Sequence, residues 1–391
     1  MDRQFSDKII QFVQSRNTGV PGRYTYSAFC GAPTLYSSTY AAMIYSLLSK
    51  EIADREEWAD YICSFQDDDG LFRDPVIYGQ GWYEGDPLWC GRTHLSCHAI
   101  TALACLGRTA PKKITFIDFW KDPDRLVRWL ESRLWNNGGD ISQTGNEIMN
   151  IGSLLQYARD FHEDEKAGRA LSVMLGWLCE NHLDPETGLW GDNMDLSDPL
   201  QLSNSVQAAY HWWELFFYDG IGIPYADKAA ETILKTQNPL GGFGLGVHNP
   251  DDPFVSSACE DIDSMAPLSR LYALGAVRGE RIVSALQKGM KWVESNQTSD
   301  GGMEFIKDKD FEYGHPQLTG KAGYGAMFPT WFRTLTLTLS SHALGDDSLH
   351  FVRCPGMQFD AVSVRQLKKD NGNHARKNRE NNRENTYDPH N

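Results

Sequence analysis

Gln237-Asn-Pro-Leu-Gly241-Gly242-Phe243 stands between a charge-bearing helical segment, 226–237, and an apolar one, 258–276, and the same arrangement recurs along the chain. Its counterparts are Gln66-Asp-Asp-Asp-Gly70-Leu-Phe72, Trp135-Asn-Asn-Gly138-Gly139, Asp184-Pro-Glu-Thr-Gly188-Leu-Trp190 and Gln297-Thr-Ser-Asp-Gly301-Gly302-Met303. The gaps from Gly70 through Gly138, Gly188 and Gly241 to Gly301 are 68, 50, 53 and 60 residues, and Gly19 precedes Gly70 by 51. Each gap is long enough for two helices and a turn, which is the mark of a helical repeat.

The segments before the glycines, roughly 5–16, 54–66, 124–135, 165–182, 226–237 and 280–297, carry apolar residues on one face and charge on the other. Those after them, roughly 35–49, 93–107, 146–161, 201–218, 258–276 and 328–343, are apolar on most faces. A one-sided helix alternating six times with an all-round apolar helix predicts two concentric rings, an all-α (α/α)6 toroid with the apolar helices inside. The toroid is expected over 1–363. The polar stretch 364–391 has too few apolar residues to offset its ordering entropy and is expected to be disordered.

With 391 residues, 41% of them hydrophobic, the chain can bury a large core. A formal net charge of -15 argues against nucleic acid as a partner. The eight cysteines are scattered with no CxxC pair, as reduced thiols are. The N-terminus lacks the apolar core of a signal peptide and no run is long enough to span a bilayer, so a cytoplasmic location is expected. The long connection Asp74–Cys90, rich in Gly, Tyr, Trp and Pro, reads as a lid over a site or as a packed surface loop.

In a two-ring toroid the inner helices run the same way, so their N-terminal ends meet at one mouth. In chain order these ends offer Tyr36 and Tyr40, then Arg92, His94 and His98, then Asn146, Glu147 and Asn150, then Asn204, Gln207 and His211. Glu260, Asp261 and Asp263 follow, with Trp212 beside His211 and with Tyr324, Trp331 and Arg333 last. Packing is the alternative reading for each. The acids in Ser257-Ala-Cys-Glu-Asp261-Ile-Asp263 also have a capping role open to them. Two carboxylates leading into an apolar helix are nevertheless hard to explain as packing, because burying unpaired charge costs several kcal/mol. They are the candidate acid pair. His94 and His98 have an i, i+4 ligand spacing but no third ligand nearby in sequence, so no metal site is expected. No phosphate loop, dinucleotide fingerprint or GxSxG elbow is present.

The Gln66, Gln237 and Gln297 turns resemble the Gln-x-x-x-Gly-x-aromatic repeats of the terpenoid cyclase and protein prenyltransferase superfamily, and Asp261-Ile-Asp263-Ser264-Met-Ala resembles the DxDD acid motif of class II terpene cyclases. The family usually has aspartate where Ser264 stands. The resemblance implies protonation-initiated cyclisation of an isoprenoid, with Asp263 as proton donor and Asp261 as its hydrogen-bonding support. It also implies that Tyr40, Trp212, Tyr324 and Trp331 stabilise a carbocation, with no cofactor beyond Mg for a diphosphate substrate. The mouth is also rich in Asn, Gln, His and Glu, which suits a second class, (α/α)6 enzymes that act on glycans. Asp184-Pro-Glu-Thr-Gly188-Leu-Trp190 faintly resembles unsaturated glucuronyl hydrolases of that class. There the aromatic rings would stack on sugars and an Asp would serve as acid or base. A non-catalytic binding toroid is the third reading. Basic residues at the Asp263 mouth would favour a prenyl diphosphate, whereas Trp with Asn and Gln would favour a glycan.

Overall fold

The structure is a computed structural model describing residues 3–136, 141–346 and 351–355. Gly138 and Gly139 of the second repeat turn, and the 364–391 tail, lie outside the described residues. Among the described residues, twelve α-helices alternate. The outer set is α1 (Arg3–Ser15), α3 (Arg55–Cys63), α5 (Pro123–Glu131), α7 (Glu165–Glu180), α9 (Ala226–Leu234) and α11 (Glu280–Glu294). The inner set is α2 (Leu35–Leu47), α4 (Arg92–Cys105), α6 (Ile141–His162), α8 (Pro199–Asp219), α10 (Ala258–Leu274) and α12 (Met327–Ala343). Consecutive inner helices pack on one another and α12 closes on α2, so the inner ring is continuous and the expected (α/α)6 toroid is the fold.

Residue pattern explains which ring each helix joins. In α11 only the stripe Ile282, Ala285, Leu286, Gly289, Trp292 and Val293 is buried, whereas every residue of α12 from Met327 to His342 is. Side-chain caps set several starts: Thr34 accepts from the Ser37 N–H, Asp122 from Arg125 ahead of Pro123 at the first turn, and Asp198 from Leu200 ahead of Pro199. Gly220 and Gly275, both left-handed, end α8 and α10.

The repeat turns act as staples. Gln66 Nε2 donates to Gly70 O at 2.8 Å and to Lys112 O at 2.9 Å, and Gln237 Nε2 to Gly241 O at 3.0 Å and Ala285 O at 2.9 Å. Gln297 Nε2 donates to Gly301 O and to Phe5 O, both at 3.2 Å, and so ties the last outer helix back to the first. Gly301 has φ +91°, and an added Cβ would lie 2.4 Å from Lys8 O, so only glycine lets the turn approach α1. The bulky residues that follow, Phe72, Trp190, Phe243 and Met303, are fully buried.

Connections leading into inner helices are long (16–34, 64–91, 235–257, 295–326) and gather at one end of the toroid, while several at the other end are short turns. Two hairpins sit in connections that lead into inner helices: β1 (Leu183–Asp184) with β2 (Leu189–Trp190) ahead of α8, and β3 (Phe311–Glu312) with β4 (Thr319–Gly320) ahead of α12. No helix among the described residues is long and apolar enough to cross a membrane, and all eight cysteines are free.

Candidate active site

The first turns of α4, α6, α10 and α12, the middle of α8 and the long connections line a cavity of about 220 Å³. Most of its helical lining recurs at i, i+4: Gln207 and His211 on α8, Cys259 and Asp263 on α10, Phe328 and Phe332 on α12. His94 on α4 and Ser142, Gln143 and Asn146 on α6 complete the helical wall. The connections add Trp82, Trp89, Cys90, His248, Phe305, Phe311 and Tyr313.

Asp263 is 3% exposed, and no described side chain or backbone group gives its carboxyl a hydrogen bond or a counter-charge. Burial, with Glu260, Glu214 and Asp261 nearby, pushes its pKa well above the usual carboxylate range, which favours the neutral acid at this face of the cavity. A proton donor is what that arrangement supplies.

Asp261 does not support it. Two residues apart on a helix, the side chains point to opposite sides. The Asp261 carboxylate is fully buried between α10, α11 and α12. It accepts from Arg333 Nη1 at 2.6 Å, Trp292 Nε1 at 3.0 Å, Ser256 Oγ at 2.8 Å and the Phe243 N–H at 3.0 Å. Burial pushes its carboxyl up, and the Arg333 charge and these donors push it back. Arg333 also donates to the Glu304 and Phe305 carbonyls and is itself fully buried. The pair therefore joins α10 to α12 and to the wall carrying Phe305. Glu260 forms a capping box with Ser257, and one of its oxygens accepts from the Val247 N–H at 3.0 Å. It is a cap, the role open to the acids at this helix start.

The histidines have different partners. His211 Nδ1 lies 2.5 Å from the Gln207 carbonyl, which can only accept, so Nδ1 carries the proton and Nε2 keeps its lone pair. Burial lowers its pKa to about 4. His94 Nδ1 lies 2.6 Å from the Tyr36 hydroxyl, and burial followed by the His211 charge lowers its pKa to about 3. Both imidazoles are neutral at pH 7. His248 Nδ1 lies 2.8 Å from Ser257 Oγ and 3.7 Å from Glu260 Oε2.

Of the other residues singled out in the sequence, His98, Tyr40 and Trp331 lie outside the cavity lining: Tyr40 stacks on Trp331 at 5.0 Å and 18°, with His98 edge-on to both. Trp212 packs against Trp135 and Trp190, outside the cavity lining. Tyr324 is 47% exposed against Phe29, and half-buried Asn204 stands one turn before Gln207 and misses the lining. Arg333 is committed to Asp261. Tyr40, His98, Asn204, Trp212, Glu260, Tyr324, Trp331 and Arg333 therefore lie outside the lining of this cavity, while Asp263, His94 and His211 face it. Among the described residues no three His, Cys, Asp or Glu groups could hold a metal ion.

The 74–90 connection is part of the site. Asp74 fastens its start to α2 through the Leu35 N–H at 2.6 Å, and Asn150 of α6 donates to Leu88 O at 2.8 Å. Trp82 N–H donates to Gly314 O at 3.1 Å and the Tyr83 hydroxyl to Tyr313 O at 3.0 Å, which joins this loop to the β3–β4 hairpin. These contacts set Trp82 and Trp89 5.5 Å apart in the cavity wall.

No family model and no curated protein matches the chain. Solved structures do. A glycosyl hydrolase family 88 protein from Bacteroides vulgatus aligns with TM-score 0.51 and 12% identity over 86% of this chain and 98% of its own. A polysaccharide lyase aligns with TM-score 0.51 and 12% identity over 88% and 98%, and a UGL variant with dGlcA-Glc-Rha-Glc with TM-score 0.51 and 11% identity over 93% and 100%. At such identities these likenesses establish the fold, and the chain shares with them the (α/α)6 toroid over nearly its whole length.

Proposed function

We propose that the protein is a carbohydrate-active enzyme of the (α/α)6 toroid class, with Asp263 as general acid. The observation that carries this reading is the cavity's lining. A neutral, partnerless carboxyl faces Trp82, Trp89, Gln143, Asn146, Gln207 and three histidines, and no Lys or Arg lines the cavity among the described residues. That is the composition expected for a sugar and the opposite of a diphosphate clamp. Arg92 is bound to Asp67, Asp69 and Asp86, Arg270 to Glu214 and Arg333 to Asp261, so none is placed to take a diphosphate. The likeness to carbohydrate enzymes points the same way.

In a hydrolytic turnover Asp263 gives its proton to the glycosidic oxygen as the bond from the anomeric carbon to that oxygen breaks. A water attacks the anomeric carbon and passes a proton to His211 Nε2, after which both groups re-equilibrate with solvent. Asp263 is the sole carboxyl lining the cavity among the described residues, so the base role falls to an imidazole.

One observation favours the isoprenoid reading. Phe305, Phe311, Tyr313, Phe328 and Phe332 form one wall of the cavity, a surface that suits a carbocation. Incubation with neutral and acidic oligosaccharides beside prenyl diphosphates and squalene, read by mass spectrometry, separates the two. Released or altered sugar that disappears in Asp263→Asn bears out the glycan reading. A cyclised hydrocarbon that disappears in the same variant replaces it.

A further inference from the structure

The charge inventory of the cavity narrows the substrate, and this step rests on the glycan reading above. Among the described residues, a carboxylate carried into the cavity would meet no free cation. Arg92, Arg270 and Arg333 are spent on acids, as described, and none of the 17 lining residues is Lys or Arg. His94 and His211 are neutral at pH 7, held at about 3 and about 4 by burial. Any charge taken by His248 is already faced by Glu260 at 3.7 Å. Beyond the wall lie more acids, Glu260, Glu214 and Asp261, whose charges also act on Asp263. An unpaired ion in such a place loses its hydration without compensation.

Uncharged partners are plentiful. Gln207 Nε2 is buried with no hydrogen-bond partner, an amide donor left for a ligand. His211 Nε2 is an acceptor, and Gln143, Asn146 and Ser142 add amide and hydroxyl groups. Hydroxyl groups of a sugar satisfy such a set, donor against acceptor. The volume, about 220 Å³, falls below the ~300–1,000 Å³ common for drug-sized ligands. Two loops hydrogen-bonded to each other wall the cavity, which suits one ring at a chain end better than the middle of a polymer.

We propose that the cavity takes the terminal residue of an uncharged glycan and rejects uronic acids. The test uses the full chain at pH 7 with matched methyl glycosides of glucose, galactose and mannose and of the corresponding uronates, read by saturation-transfer NMR and by calorimetry. At least one neutral glycoside is expected to bind at least tenfold more tightly than its uronate. Gln207→Leu is expected to weaken that binding several-fold. Asn146→Lys, which places a cation in the wall, is expected to narrow the neutral preference. Uronates binding as tightly as their neutral counterparts, or an unchanged ratio in Asn146→Lys, would overturn the proposal while leaving the glycan reading standing. Absence of binding by every saccharide would overturn the glycan reading itself, and this proposal with it.

Discussion

Replacing Asp261 with Asn removes one charge while keeping the side chain's shape and an oxygen for the Phe243 N–H. What changes is the Arg333 guanidinium, fully buried and 2.6 Å from the lost carboxylate. Removing one partner of a buried ion pair costs about 3–5 kcal/mol, chiefly through the charge left behind. For 391 residues at ~2.1 cal/mol/K each, the unfolding entropy is about 0.8 kcal/mol/K, so the melting midpoint should fall by about 4–6 °C. Calorimetry on the single variant and on Asp261→Asn with Arg333→Met checks this. The double variant should regain most of the loss, because neither charge remains. Any activity should survive in the folded single variant, since the carboxylate faces away from the cavity. Loss of turnover with an unchanged midpoint would refute the reasoning and restore Asp261 to a role beside Asp263.

Three further outcomes follow from the same geometry. His211 falls from 6.5 to about 4 on folding, so the unfolded chain binds the extra proton between those values and stability drains as pH falls through that window. At 1.36 kcal/mol per unit the full effect is about 3 kcal/mol, and the stability gap between wild type and His211→Gln in urea titrations should shrink by that order from pH 7 to pH 4. Gly301→Ala should lower the midpoint by several degrees in a thermal scan, because the new Cβ would sit 2.4 Å from Lys8 O at a φ of +91°. Trp82→Ala, at a ring 40% exposed in the cavity wall, should raise KM or Kd for the sugar about tenfold while moving the midpoint little, and a large fall in stability instead would make the ring mere packing.

The toroid was legible because its signals are local. Alternating one-sided and all-round apolar helices, with glycine turns at near-regular intervals, fixed both rings to within a few residues. The largest miss is the start of α6, at Ile141 rather than 146, in a stretch adjoining a repeat turn. The site was less legible for two physical reasons. Helix phase turns Asp261 on α10 and Trp212 on α8 away from the cavity that their helix neighbours Asp263 and His211 line. Loop residues carry no period at all. Trp82, Trp89, His248, Phe305, Phe311 and Tyr313 reach the cavity only through long-range contacts such as Tyr83 to Tyr313, 230 positions apart. The turn-rich Asp74–Cys90 stretch hinted at Trp82 and Trp89, and nothing in the sequence pointed to the other four. Counting the i, i+4 partner of Asp263 would have found Cys259 beside the Gln207 and His211 pair already singled out.

The account turns on Asp263 being a neutral acid at physiological pH, and infrared difference spectroscopy between wild type and Asp263→Asn at pH 7 reads that state without needing a substrate. A protonated carboxyl C=O band present in the wild type and missing from the variant is the expected result. A difference spectrum showing only an ionised carboxylate would contradict it, because a site without that proton cannot begin the reaction described here.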